Sequence, residues 1–457
     1  MNKLEIKLKQ HTPLIHFQHD QEGATLRASE VKPKLDRFII KTDFNDRFEK
    51  CKTYLVGYNP QKPDSLRDKF NNGYRALNYK IRIEAGKKVD AVKLQSESRT
   101  NNKGELKFYS FWHKLDNGRT EEFPLMLSNM GGKDNEKDLM NFSFYEDFTI
   151  TISCPEAEIY EALSYWIDVF FAKNNFGQRS SKGFGSFSVI EVNGEKKDFP
   201  EEELDSHYMR FKLLESNPLL FQNKIFQTID FYWKCLKSGI NYTQYNSKTK
   251  EYKYPNRYIK AFLWTYLNNQ NPRQTWEKRC VKERFHLTTG RERHENPNSA
   301  SFARAVLGCP DKFEYRNMGK TINIKHSVNP NSEDFIARIP SPIIFKPIVI
   351  GNMVIIYMIP DTTIIDKLRG HNNLTFKFEC NRNEMTLDVN PNIINVKDMI
   401  SCYHNYIKNK EFGRKGFRND LEYDDFINKY KLNGETEWFI PLDFNWRRII
   451  NSPVILK

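Results

Sequence analysis

The sequence predicts an α+β fold made of two βαββαβ units, the second degenerate and more helical. Three observations support this prediction. In the first half, runs with a period of two and runs with a helical period alternate in that order. A glycine-rich stretch, "FGQRSSKGFGSF" (176–187), separates the last helix pattern from the last strand pattern. A shorter stretch, "EFGRKGF" (411–417), follows a helix pattern in the second half, where an ordinary glycine C-cap would explain it equally well.

The first elements follow the chain in order. "KLEIKLKQ" alternates apolar and polar residues and predicts a strand. "ASEVKPKLDRFII" predicts a helix with Ser29 as its N-cap and Pro33 in its first turn. "NYKIRIEAG" and "NFSFYEDFTITISC" predict two further strands. The polar stretch between them, about 86–140, predicts an insertion or a long loop.

The last two elements of the first half enclose the glycine-rich stretch. "CPEAEIYEALSYWIDVFFAKN" has Ile159, Leu163, Trp166 and Phe170 at helical spacing, and "GSFSVIEV" predicts a strand. The order βαββαβ is that of a ferredoxin-like domain. We therefore expect ferredoxin-like domains over 1–205 and 206–457, with the glycine-rich stretch leading into a strand at or beside the centre of the first sheet.

The second half contains more helix patterns than the first. "PLLFQNKIFQTIDFYWKCLKSG", "NRYIKAFLWTYLNNQ" and "NVKDMISCYHNYIKNK" predict helices, and "NNLTFKFEC" predicts a strand. "SPIIFKPIVI" and "MVIIYMIP" predict a hairpin, because the intervening Gly351-Asn352 suits a type II′ turn. The polar, basic stretch 271–300 predicts a segment that faces solvent or RNA.

The composition indicates a polyanion partner and a reducing environment. The 457 residues carry a formal charge of +13, which is typical of proteins that meet nucleic acid or an anionic surface. The seven cysteines form no CxxC pair, so we expect no zinc site, no disulfide framework and no cofactor. Every apolar run is shorter than the roughly 20 residues of a membrane span. We expect a cytoplasmic protein with no membrane partner.

Four segments resemble a known family. The glycine-rich stretch resembles that of the RAMP superfamily of CRISPR systems. "TPLIHFQHDQEGATLRASEVKPKLDRF" (12–38), "AVLGCP" (305–310) and "RIPSPIIFKPI" (338–348) are similar to segments of the first Cmr subunit of type III-B CRISPR effector complexes. Pro33 and Lys182 depart from the residues usual in that family.

The resemblance implies a role in CRISPR antiviral defence. It implies a non-catalytic subunit with two RAMP domains that binds RNA near the crRNA 3′ end. The expected partners are crRNA, target RNA and other RAMP subunits of the effector complex.

The candidate RNA-binding residues lie in two places. In the glycine-rich stretch, two cations would meet phosphates and three glycines would allow close approach, while Phe176 and Phe184 would pack inward. Around the first helix, three cations would add to the same basic surface. The full set is Arg27, Lys32, Arg37, Gly177, Arg179, Lys182, Gly183 and Gly185.

Two alternatives remain open at the sequence level. His11, His16 and His19 fit a metal-independent endoribonuclease that processes CRISPR RNA, with a histidine as general base. The sequence offers these histidines no obvious catalytic partner, so we favour binding without catalysis. The other alternative is a basic scaffold protein with no RNA role.

Overall fold

A computed structural model describes most of the chain. The described residues are 2–15, 25–100, 106–114, 120–122, 139–204, 207–213, 218–242, 245–246, 251–252, 257–271, 275–287, 300–309, 312–315, 320–332, 335–336, 338–371, 374–408 and 455–456. Some predicted features lie outside these ranges, namely His16, His19, Arg273, Arg291, Arg293 and the stretch 411–417.

The chain divides into two compact units. The first contains Met1–Asp205, Leu213–Gln227 and Phe345–Tyr357. The second contains Ser206–Lys212, Thr228–Ile344 and Met358–Lys457. The first unit thus combines residues 1–205 with two segments from the second half of the sequence.

The elements before residue 205 are mostly strands. In chain order, the described helices and strands are β1 (Asn2–Gln10), α1 (Ala28–Thr42), α2 (Phe48–Cys51), α3 (Arg67–Asn71), β2 (Lys80–Ala85), β3 (Lys88–Thr100), β4 (Leu106–Lys114), β5 (Thr120–Glu122), β6 (Leu139–Tyr145), β7 (Phe148–Cys154), α4 (Ala157–Lys173), β8 (Phe187–Val192) and β9 (Glu195–Lys196). Short 3-10 turns lie at Lys52–Tyr54 and Glu201–Glu203.

The main sheet of the first unit has the order β2-β7-β1-β8-β9. Its pairings are antiparallel, and Ile6 lies opposite both Ile150 of β7 and Val192 of β8. Alternate residues of β1 point into a core shared with α1 and α4. The element order β1-α1-β2-β7-α4-β8 is the predicted βαββαβ, and β8 lies beside the central β1, as expected.

The start of α1 differs from the prediction. Arg27 is the N-cap, in an extended conformation, and its side chain makes no capping bond. Ser29 is therefore inside the helix, and Pro33 lies in its second turn. The prediction placed the helix start too late because serine is a common N-cap, whereas here the chain turns into the helix two residues earlier.

The insertion carries its own sheet. Strands β3, β4 and β5 lie within the stretch predicted to be an insertion or a long loop, and they pair with β6 in a sheet of order β5-β4-β3-β6. The expected single strand "NFSFYEDFTITISC" is in fact two, because the chain leaves β6 at Tyr145 and enters β7 of the main sheet at Phe148. The two corrections have different causes. Polar strands such as "KVDAVKLQSESRT" carry little hydrophobic periodicity, so sequence patterns miss them. Strands β6 and β7 were predicted as one because their alternating patterns are separated only by Glu146-Asp147.

The elements after residue 205 include longer helices and several short strands. In chain order, those described are β10 (His207–Lys212), α5 (Pro218–Lys237), β11 (Ile240–Tyr242), β12 (Tyr245–Asn246), β13 (Glu251–Tyr252), β14 (Arg257–Ile259), α6 (Phe262–Gln270), β15 (Thr275–Trp276), α7 (Glu277–Arg284), β16 (Ala300–Ser301), α8 (Ala303–Val306), β17 (Lys312–Tyr315), β18 (Lys320–His326), β19 (Ile343–Ile350), β20 (Met353–Pro360), α9 (Thr362–Arg369), β21 (Thr375–Cys380), β22 (Asn383–Asp388), α10 (Val396–Lys408) and β23 (Ile455–Leu456). A 3-10 turn lies at Pro391–Ile393.

Most of the predicted elements of this half are present. The β19–β20 hairpin forms, with Gly351 at φ +59° as a type II′ turn requires. Helix α6 is shorter than predicted because Arg257–Ile259 is a strand. The second unit contains an antiparallel sheet of order β17-β18-β21-β22. A second ferredoxin-like domain remains a prediction.

Candidate nucleic-acid interface

Residues 176–187, here called the glycine loop, connect α4 to β8. The start and the end of this loop are hydrogen-bonded to each other. The Phe176 N–H donates to the Gly185 carbonyl over 2.9 Å. The loop also lies along the segment that follows β1. The Gln178 N–H donates to the Ile15 carbonyl (2.7 Å) and the Gly185 N–H to the Pro13 carbonyl (2.8 Å). Two of the segments recognised in the sequence are therefore joined by backbone hydrogen bonds.

Thr12 is the side chain that connects these two segments. It is fully buried, and its Oγ1 donates to the Gly183 carbonyl (2.6 Å) and accepts from the Ser186 N–H (2.9 Å). A hydroxyl performs both roles because it is at once a donor and an acceptor. This explains a threonine before Pro13 in the sequence.

The loop glycines bring the loop close to protein backbone. Gly177, Gly183 and Gly185 have φ values of +76°, +91° and +64°. A Cβ on Gly177 would lie 2.5 Å from the Ile15 carbonyl oxygen, and one on Gly185 would overlap the Phe176 carbonyl. Both the conformation and the packing therefore require glycine. Close approach of these glycines to RNA stays a prediction.

The two loop phenylalanines pack inward, as predicted. Phe176 is fully buried, with its ring centroid 5.3 Å from that of Phe171 and 5.9 Å from that of Phe170. Phe184 is also fully buried and stacks on Phe226 at 3.9 Å between centroids. Neither ring is exposed enough to stack on a base, so their contribution is to hold the loop in place.

A strand from the second half of the sequence lies against the loop. The Phe345 N–H donates to the Ser181 carbonyl (3.1 Å), and the Asn175 side-chain amide donates to the Phe345 carbonyl (2.8 Å). The Ser186 hydroxyl donates to the Pro347 carbonyl (2.6 Å). Phe345–Tyr357 belongs to the first unit, so the "IIFKPI" segment completes the surroundings of the loop.

Lys346 lies at the centre of this contact. Its side chain is fully buried, and Nζ donates to the Asn174 carbonyl (2.8 Å) and to the Phe187 carbonyl (2.7 Å). Burial lowers the pKa of Lys346 well below its ordinary value of 10.5, because the charged form loses its hydration.

The two loop cations are half-buried. Arg179 adopts φ +55°, a conformation rare for a residue with a side chain. Lys182 pairs through its backbone with Phe345, and its Nζ is shielded from solvent, 5.9 Å from the centroid of that ring. A phosphate would contact this amine only after the side chain turns outward. No carboxylate lies between Asn174 and Ile190 in the sequence, so these two residues carry the loop's own charge, whereas the Glu30 carboxylate of α1 contacts the loop from outside.

The basic residues of α1 differ in what they contact. Lys32 Nζ donates to the buried Asp36 carboxylate and to the Leu77 carbonyl, both over 2.8 Å, and lies 4.0 Å from the centroid of the Tyr79 ring. Arg27 and Arg37 are exposed. Lys32, predicted to bind RNA, thus has a structural role here, whereas the two arginines face solvent.

Glu30 joins α1 to the glycine loop. Its Oε1 accepts from the Gly177 N–H over 2.6 Å and from Lys34 Nζ over 3.3 Å. Lys34 Nζ also donates to the Asn175 carbonyl (3.1 Å). The first two turns of α1 and the start of the loop are therefore adjacent, which brings Arg27 and Arg179 into one region of the first unit.

His11 is a core residue in this structure. It is 3% exposed; Nδ1 accepts from the Val349 N–H (3.0 Å), and Nε2 is 2.8 Å from the Ser188 hydroxyl. Burial, with the charges of Lys346 and Lys9, lowers its pKa well below 6.5. Both ring nitrogens are engaged by protein groups, so the described histidine of the three does not fit an exposed general base.

The basic stretch 271–300 is partly helical. Lys278, Arg279, Lys282 and Arg284 lie on α7, a helix that the sequence did not predict. Lys278 Nζ donates to the Ser238 carbonyl (3.4 Å), and burial lowers its pKa to about 7. Part of this stretch therefore packs against protein. Among the described residues, no group of three or more histidine, cysteine or carboxylate side chains is placed to hold a metal ion.

Sequence reasoning missed three residues that organise the loop: Thr12, Asn175 and Lys346. Thr12 carried a signal as part of a recognised segment. Lys346 lies within the predicted hairpin strand "SPIIFKPIVI", and a lysine within a buried strand itself indicates a specific partner. Asn175 carried no signal, because asparagine after a helix is ordinary.

Comparisons with known proteins identify the family. The Cmr1 N-terminal domain matches residues 1–240, and the Cmr1 C-terminal domain matches residues 258–431. The chain belongs to the Cmr1 family. It is thus a Cmr1-like subunit of the type III-B CRISPR system, as the resemblance predicts. No curated protein matches the sequence significantly.

Solved structures similar to this Cmr1-family chain have low sequence identity. Apo Cmr1 from Pyrococcus furiosus has 11% identity and a TM-score of 0.31, over 79% of this chain and 88% of that one. A chain of the type III-B Cmr-beta complex bound to cognate target RNA and AMPPnP, in the presence of ssDNA, has 14% identity and a TM-score of 0.29, over 88% and 98%. A chain of Cmr-beta bound to cognate target RNA has 12% identity and a TM-score of 0.24, over 42% and 60%. The family assignment rests on the two domain matches.

Within the described residues, no helix has the length and apolar character to cross a membrane.

Proposed function

We propose that this protein is a non-catalytic RNA-binding and assembly subunit of a type III-B effector complex, positioned near the crRNA 3′ end. It contacts crRNA, target RNA or both, and packs against other RAMP subunits. The phosphate contacts are made by Arg179 and Lys182 of the glycine loop, supported by Arg27 and Arg37 of α1.

One observation carries the proposal. The glycine loop and the first turns of α1 are joined through Glu30, whose carboxylate accepts from Gly177 and Lys34. This connection joins the loop that carries Arg179 and Lys182 to the helix region that carries the exposed Arg27 and Arg37, in a chain of net charge +13. A rigid backbone with adjacent cations suits a phosphate backbone, because it recognises charge and spacing rather than base identity.

The absence of catalysis is part of the proposal. His11 is buried with both ring nitrogens engaged, which supports binding over cleavage. Incubating the protein with repeat RNA in EDTA tests this, because repeat processing of this kind needs no metal. Intact RNA is the expected result, and specific cleavage that disappears in His16→Ala/His19→Ala would establish the endoribonuclease alternative.

The central experiment measures RNA affinity at several salt concentrations. Replacing both Arg179 and Lys182 by alanine should weaken binding to unrelated single strands alike. The slope of log affinity against log salt should fall by about 0.7 for each phosphate that the variant no longer neutralises, about 1.4 for the pair. The unfolding free energy should change by less than about 0.5 kcal/mol per site if both side chains serve RNA rather than the fold.

A matched control uses two exposed lysines of the same unit. Lys196→Ala/Lys197→Ala removes the same charge from the end of β9 and its following residue. It should leave the slope close to that of the wild type. Equal slopes for the two double variants would show that only net charge matters, and the glycine loop would lose its assigned role.

The position along crRNA is tested separately in the assembled complex. Photoreactive nucleotides placed at the crRNA 5′ or 3′ end should crosslink this subunit only from the 3′ end. Crosslinking from the 5′ end would contradict the proposed position while leaving RNA binding intact.

A further inference from the structure

We propose that Lys346 is the positioning residue of the glycine loop. Its amine ties the two ends of the loop together and so fixes where Arg179 and Lys182 meet RNA. The inference rests on the proposed function for its RNA part, whereas its structural part stands independently.

The two acceptors of Lys346 flank the loop. Asn174 is the C-cap of α4, and Phe187 is the first residue of β8. Nζ reaches the carbonyls of both, over 2.8 Å and 2.7 Å. One side chain therefore spans the entrance and the exit of the loop. Backbone pairing between Asn175 and Ser186, and between Phe176 and Gly185, also joins the two ends of the loop, so Lys346 adds a side-chain connection to a paired backbone.

The chemistry of the contact fits an amine. Lys346 is fully buried, and its Nζ donates to two backbone carbonyls. An amine carries at least two N–H donors, enough for both carbonyls. A methionine of similar length would fill the space and leave both carbonyls without this donor.

The residues on either side of Lys346 reinforce the tie. The Phe345 N–H donates to the Ser181 carbonyl (3.1 Å), in the middle of the loop. The Pro347 carbonyl accepts from the Ser186 hydroxyl (2.6 Å). Three consecutive residues thus bond to the loop and its ends. Arg179 and Lys182 lie between the tied ends, so their positions depend on this short strand.

Hydrogen exchange and RNA binding together test the inference. In Lys346→Met, loop amides that donate within the first unit, those of Phe176, Gln178 and Gly185, should exchange faster than in the wild type. The slope of log RNA affinity against log salt, here called the salt slope, should fall toward that of Arg179→Ala/Lys182→Ala. Adding Lys346→Met to that double variant should produce no further fall, because the side chains it positions are already absent.

Two further variants separate positioning from general destabilisation. Ile6→Ala removes core volume from β1, where the side chain is fully buried, and should not reduce the salt slope. Lys346→Gln keeps two N–H donors on a shorter side chain and should recover part of the loop protection. Unchanged loop exchange in Lys346→Met would overturn the inference, and so would a slope that falls equally in Ile6→Ala. A wild type that binds no RNA would instead refute the proposed function, with the exchange experiment still deciding the role of Lys346.

Discussion

Helix α1 and the glycine loop are both basic, yet they use their charges differently. On α1, Lys32 and Lys34 point to protein acceptors, while Arg27 and Arg37 face solvent. In the loop, Arg179 and Lys182 are half-buried on a backbone that is hydrogen-bonded on two sides. The comparison shows that a count of positive charges does not identify an RNA contact. What matters is which acceptors each cation already has, and how firmly its backbone is held.

Among the substitutions that test the loop, the largest effect on stability is expected at Gly185. Gly185→Ala should lower the unfolding free energy by about 3 kcal/mol, because the added Cβ overlaps the Phe176 carbonyl at a positive φ. Gly194→Ala is the matched control, since its φ is +85° but nothing lies within 4 Å of the added Cβ. Gly194→Ala should lower the unfolding free energy by only about 1 kcal/mol. Urea unfolding measures both, and equal decreases would mean that the loop is not closely packed.

Two substitutions on α1 test whether its lysines and arginines have different roles. Lys32→Ala should cost about 2 kcal/mol of stability, because it leaves the Asp36 carboxylate buried without its cation. It should leave the salt slope of RNA binding unchanged. Arg37→Ala should show the reverse, with stability within about 0.5 kcal/mol and a slope lower by about 0.7.

This pair of variants also tests the comparison itself. A slope that falls in Lys32→Ala at unchanged stability would show that the lysine leaves Asp36 for RNA. The distinction between inward lysines and outward arginines would then be wrong.

The smallest expected effect concerns the pH dependence around the loop. The pKa of His11 is well below 6.5 in the folded protein, so the unfolded chain binds a proton first as the pH falls. The contribution of His11 to stability is fully present above about pH 7. It decreases as the pH falls, by about 0.8 kcal/mol between about pH 7.5 and about pH 6. His11→Asn should remove this share of the pH dependence in thermal unfolding. An identical pH profile for the wild type and the variant would show that other groups cause the pH dependence.

The first unit was largely predictable, because its buried strands and helices carry clear periodicity. Leu4, Ile6 and Leu8 alternate along β1, and Ile159, Leu163 and Phe170 repeat along α4. The polar insertion strand β3 was not predictable, since it lacks such a pattern. The N-cap was misplaced because local residue preference does not record where the preceding chain approaches the helix.

The candidate site was predictable only as a location. The glycines and cations of the loop marked it in the sequence, and the inward packing of Phe176 and Phe184 is confirmed. Its organisation depends on Thr12 and Lys346, which are far from the loop in sequence. Long-range pairings of this kind leave no trace in local periodicity. The Lys32–Asp36 pair is different, because it is an i,i+4 contact on one helix face that the sequence spacing could have indicated.

The distance along the chain between Lys346 and its partners has a consequence for biosynthesis. The carbonyl of Phe187 lies 159 residues before the amine that binds it. At about 5–20 residues per second, a ribosome needs roughly 8–30 s to make the intervening chain. For that interval the nascent N-terminal region has its loop sequence but lacks the strand that ties it. The first unit therefore reaches its final form only after most of the polypeptide has been translated, and a fragment ending near residue 240 would keep its loop in the untied state.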